Sequence, residues 1–187
     1  MLMFPMALAP AEVARDYSII DEFELAGKRR AIIYDAQTPR AAIIKKNTDE
    51  INGAAHHRVI AVLDLAVVNI CKDAACVLQI TGFFVIPAFR NADLEQRLIE
   101  KLVSKCGVVV ASPNEQYESD KNTWQRIARE SSALAVRILD TDTGQFYPYD
   151  GTKARYDGGD SIPDHAIWST PPDESRTNVL LIAEPIA

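Results

Sequence analysis

Long apolar runs are missing from this sequence: the longest, Val59 to Ile70, spans 12 residues and carries Asp64 and Asn69. A membrane-crossing helix needs about 20 consecutive apolar residues, so no membrane association is expected. Cysteine is scarce. Cys71, Cys76 and Cys106 form an odd set of three with no CxxC pair and no histidine nearby. That pattern excludes a disulfide framework and a zinc ribbon, predicts no metal, and reads as buried free thiols in a reducing, cytoplasmic setting. Basic charge is in deficit as well, with 20 Lys and Arg against 26 Asp and Glu, a net charge of −6 and a pI near 5.1. Nucleic acid is gripped by Lys and Arg that displace phosphate counterions, so a nucleic-acid partner is not expected. The apolar start, Met1 to Pro10, has no basic n-region and is interrupted by Pro5, and it does not read as a signal peptide.

What is present is the composition of one soluble domain: 187 residues, 48% hydrophobic and 25% charged. The first 140 residues alternate apolar elements and read as an α/β core. Residues 141–187 read as an acidic, loop-rich extension that completes the sheet of the same domain. Between Asp140 and Arg176 lie eight acids and three bases, with Gly158-Gly159 and Pro171-Pro172 as breakers. In the core, Pro10 opens a helix carrying Val13 and Tyr17 on one side. Ala31 to Tyr34 and Ala41 to Ile44 read as a strand pair about Gln37-Thr38-Pro39. Val59 to Val68 and Val77 to Ile86 read as central strands. Leu94, Leu98, Ile99 and Leu102 have helical spacing over about 93–104, stopped by Gly107, and Val108 to Val110 starts a buried strand. A second helix runs over about 120–131 with Trp124, Ile127 and Ala128 inward. Leu134 to Leu139 and Gln145 to Tyr149 flank a turn at Asp140 to Gly144, and Asn178 to Ala183 is the last strand.

The most informative stretch is Gly82 to Leu102, GFFVIPAFRNADLEQRLIEKL, in which a strand ends in proline and an arginine precedes a helix. Val85, Pro87 and Arg90 match the V-x-P-x-x-R frame of the Gcn5-related N-acetyltransferase (GNAT) family, which this segment resembles. The resemblance implies a GNAT-like α/β fold with a mixed central sheet flanked by helices, covering about residues 10–150. It also implies an acetyl-CoA pyrophosphate held on the amides of a helix N-terminus, where a positive dipole end and free N–H groups attract anions. Carried over onto this chain, the cofactor-binding residues would be Val85, Arg90, Asn91, Ala92 and Leu94, with a carboxylate such as Asp64 or Glu95 as base for an amine nucleophile. Two departures stand out. The loop glycines of the family pattern R-x-x-G-x-G/A are Asp93 and Glu95 here, which puts carboxylates where a diphosphate would sit. The family's tyrosine, the acid that protonates the leaving thiolate, aligns with Trp124, whose indole cannot do so.

Two functions follow. The leading one is a non-catalytic GNAT-like protein, without a cofactor, acting through a protein partner or self-assembly, as an accessory or structural protein of a phage or mobile element would. The alternative is a CoA-dependent N-acyltransferase with an atypical pyrophosphate loop. Tyr147, Tyr149, Tyr156 and Trp168, set among acids, fit a protein contact surface. His56 and His57 read as a solvated loop, because neighbours in an extended segment point opposite ways and make a poor metal site. Asp140 to Gly144 reads as a hairpin turn and not a calcium loop. The basic cluster Lys28-Arg29-Arg30 reads as a solvated strand edge.

Overall fold

A strand of 15 residues, Ala54–Val68, is the longest element of the computed structural model, and the sheet grows outward from it. The structure describes residues 7–46, 49–51, 54–70, 77–114, 118–159, 162–168 and 178–186. In chain order the elements are β1 (Ala7–Leu8), α1 (Pro10–Asp16), β2 (Ser18–Leu25), β3 (Lys28–Asp35), β4 (Arg40–Lys45), β5 (Asp49–Ile51), β6 (Ala54–Val68) and β7 (Val77–Val85). They continue with α2 (Leu94–Cys106), β8 (Val109–Ala111), α3 (Glu118–Glu130), β9 (Leu134–Asp140), β10 (Gln145–Phe146) and β11 (Val179–Pro185). All 11 described strands join one sheet, ordered β10-β9-β11-β8-β7-β6-β4-β3-β2, with β1 and β5 paired to the first half of β6. Among the described strands only β7 and β8 run parallel, as a crossover through α2 requires.

This corrects the expected fold class. A GNAT-like fold has a smaller sheet flanked by helices, whereas here strand makes up 45% and helix 24%. The excess comes from segments with weak strand patterns. Ser18 to Leu25 pairs with β3 despite three acids and a bulge between Ile19 and Asp21. The start of β6 takes in His56 and His57, which therefore lie in a strand and not in a loop.

Burial explains the rest. Leu94, Leu98, Ile99, Leu102 and Val103 form the buried stripe of α2, and Gly107 ends that helix at φ 66°, a left-handed cap that glycine adopts without strain. With Trp124, Ile127 and Ala128 of α3, the stripe covers one sheet face at Ile32, Ile43, Leu63, Leu78, Val136 and Leu181. The opposite face at Ala31, Ile33, Ala42, Ile44 and Val62 is covered by Leu8 and by Val13 of α1. Asp35 tightens the β3–β4 turn by accepting the N–H groups of Gln37 and Thr38 at 2.8 and 3.1 Å. Asp140 does the same for Asp142 and Thr143 at the β9–β10 hairpin. Tyr156, Ile162, Ile167 and Trp168 of the acidic segment join the main core, so Tyr156 and Trp168 are core residues and not contact surface. Cys71, Cys76 and the Pro171-Pro172 breaker lie outside the described residues; Cys106 is a half-buried free thiol. No described helix is long and apolar enough to cross a membrane.

Candidate functional site

The sheet opens between its two parallel strands. β7 pairs with β8 only over Val77 to Gln79. It stays with β6 as far as Val85, through a bulge that leaves Thr81 unmatched between the pairs Leu65–Ile80 and Asp64–Gly82. A bulge bends its strand and increases its twist, which turns the second half of β7 away from β8. Among the described residues, Ile80 to Val85 therefore has no strand on that side. Ile86 donates its N–H to the Ile60 carbonyl at 2.9 Å, toward β6. By the alternation of a strand, Phe83 and Val85 then direct their N–H and C=O groups into the opening.

The gap is a cleft of about 530 Å³, within the range of small-molecule and peptide sites. Phe83, Val85 and Phe89 supply its apolar wall, and Asn122, Thr123 and Arg126 of α3 close the far side. Arg90, Asn91, Asp93, Leu94 and Glu95 come from the turn after β7 and the first residues of α2. Asp93 takes left-handed geometry, φ 52°, and does not cap the helix with its side chain; its carboxylate meets Arg126 at 2.6 Å instead. Arg126 also donates from Nε to the Gln96 side-chain oxygen at 2.6 Å, so it ties α3 to the start of α2. Glu95 sits deeper. Burial, aided by the nearby Asp120 carboxylate and opposed by Arg126, pushes its carboxyl up to about 7.

Of the residues the sequence nominated, Val85, Arg90, Asn91 and Leu94 line this cleft, and so does Glu95. Ala92 does not. Its N–H already donates to the Phe89 carbonyl at 3.1 Å, so that amide is not free for a phosphate. Asp64 is elsewhere too, on β6 opposite Gly82 of β7 and held by Arg40 at 2.6 Å. Trp124 is fully buried in the core, and its alignment with a catalytic tyrosine has no counterpart in the cleft. Sequence reasoning missed Arg126, Asn122 and Thr123. Their signal was the polar side of the same helix whose apolar side, Trp124, Ile127 and Ala128, was recognised. Among the described residues no three His, Cys, Asp or Glu side chains cluster as metal ligands. No family model matches the sequence, and no curated protein matches it. The GNAT resemblance thus rests on the motif residues alone.

Proposed function

We propose that the protein is a cytoplasmic binding module that takes an extended segment of a protein partner into the cleft, as an added strand along the open side of β7. The observation that carries this reading is the pairing gap itself: backbone donors and acceptors of Phe83 and Val85 face a cavity instead of a neighbouring strand. Added strands gain affinity from main-chain hydrogen bonds and specificity from pockets for alternate side chains. Phe89 and Val85 offer such a pocket, and Arg90, Arg126 and Glu95 fix the polarity of what enters. Selection of displayed random peptides tests it. Binders should be extended, rich in β-branched residues, and lost on Val85→Pro, which removes an outward N–H while leaving the Ile86 bond to β6 in place. Binders indifferent to Val85→Pro would refute strand addition.

A second reading, CoA-dependent N-acyl transfer, has one observation in its favour: a carboxyl of raised pKa in the cleft is the right kind of base for an amine. Against it, Asp93 and Glu95 both stand in the cleft beside the helix start where a diphosphate would lie. We expect acetyl-CoA to leave the melting temperature unchanged. A rise of about 3 °C or more at sub-millimolar acetyl-CoA would favour the transferase, because a ligand that binds the native state raises apparent stability by mass action.

A further inference from the structure

The cluster Lys28-Arg29-Arg30 divides on folding. Arg29 turns to the side of Glu22, 4.0 Å away. Lys28 and Arg30 turn instead into a second pocket, of about 200 Å³, bordered by Phe89 at the end of the α2-covered face. Arg30 pairs with Lys45 across β3 and β4, and the Ile44–Val59 pair sets Lys45 next to Arg58 on β6. Three cations thus stand side by side on adjacent strands, with Lys28 two residues before Arg30 on the same side, and all four line the pocket. Like charges facing one another across a sheet are destabilising. Among the described residues Asp49 is the one acid lining the pocket, and it pairs with Lys45.

Arg30 is the least ordinary member. Its side chain is 4% exposed. One guanidinium nitrogen reaches the Arg29 carbonyl at 3.2 Å, and its buried Nε has no hydrogen-bond partner among the described residues. The Phe89 ring lies 5.9 Å from its charge centre. Burial lowers its pKa, but a guanidinium starts so high that it stays charged. A buried, permanently charged group without a counter-charge is costly unless something completes it.

We propose that this pocket is an anion site for a phosphate or diphosphate group, bound by Arg30 at the floor and by Lys28, Lys45 and Arg58 at the rim. A carboxylate would neutralise one charge of the excess. A phosphate brings about two charges and several acceptor oxygens, which suits the planar fork of two arginines. The volume falls below the roughly 300 Å³ at which pockets for drug-sized ligands begin, so the group recognised is the phosphate itself and not the body it is attached to.

Inorganic phosphate and pyrophosphate are the probes, titrated calorimetrically and by thermal shift at constant ionic strength, with chloride as the control for screening. At least one should bind saturably and raise the melting temperature. Arg58→Gln, an exposed change that leaves the core intact, should weaken that binding about tenfold or more, the loss of one charge-assisted hydrogen bond. Arg30→Met should abolish it while raising the melting temperature of the unliganded protein. A remote change, Lys105→Gln, should do neither. Absence of saturable binding by both probes, or equal binding by wild type and Arg58→Gln, overturns the proposal.

Discussion

Glu95 sets a pH dependence that can be read from its surroundings. Its carboxyl is raised from 4.5 to about 7, first by burial and then by Asp120, and Arg126 offsets only part of this. The folded protein therefore holds a proton there that the unfolded chain has already released between those two values. Where the native state binds more protons than the unfolded one, stability falls as pH rises. The side chain is nearly neutral in its effect below about pH 4.5, and its ionised form costs up to about 3 kcal/mol above pH 7. Glu95→Gln should accordingly stabilise the protein by up to about 3 kcal/mol at pH 8 and by almost nothing at pH 4. Urea melts at the two pH values check this; an equal effect at both would mean that the carboxyl is solvated and the cleft wetter than its geometry indicates.

Among the elements, α2 carries a clear sequence signal and packs widely. Leu98 is fully buried, and α2 packs against strands as far apart in sequence as β2 and β11. Leu98→Ala should cost roughly 2 to 5 kcal/mol, the transfer term plus a cavity that packed strands cannot close. A loss below about 0.5 kcal/mol in denaturant melts would place the helix on the surface. This helix, α3, β3, β4 and β6 to β11 were legible because their apolar residues recur at helical spacing, form continuous runs or flank a turn. β1, β2 and β5 were not. β2 reads Ser-Ile-Ile-Asp-Glu-Phe-Glu-Leu, and the bulge at Ile19 to Asp21 breaks its period of two, so its pairing with β3 is decided by tertiary contact and not by local pattern. β1 and β5 have two and three residues and exist because β6 extends far enough to pair with them. The extra strands are what take the molecule outside the expected fold class, and none had a local signature of its own.

Across the whole molecule, the cleft was half legible. The strand–Pro–Arg–helix segment marked one wall, but the opposite wall on α3 arrives from about 30 residues downstream, a distance over which sequence patterns carry no contact information. The acidic segment reads as loop-rich from its residue types, and its described part is held by the fold. Tyr156 donates its N–H to the Val136 carbonyl at 2.8 Å, and Ala154 donates to Tyr147 at 3.1 Å. Arg155 reaches the Ala128 and Ser131 carbonyls at 3.4 and 3.3 Å, at the end of α3 where helix carbonyls lack internal partners. Gly158, at φ 74°, lies so close to α3 that a Cβ there would run into the Gln125 carbonyl and stand 2.8 Å from Arg129 Cγ, so the chain is seated against the helix backbone itself. A protease needs several residues in extended, unpaired form, and opening this segment would expose Tyr156 and Trp168 along with it. Trypsin should therefore leave the bonds after Lys153 and Arg155 intact in the native, partner-free protein and cut them only when the core unfolds, so that their cleavage tracks global stability. Mass spectrometry of a digest series in increasing urea measures this. Rapid cleavage at either bond well below the unfolding midpoint would show that the segment opens on its own, as a loop awaiting a partner would.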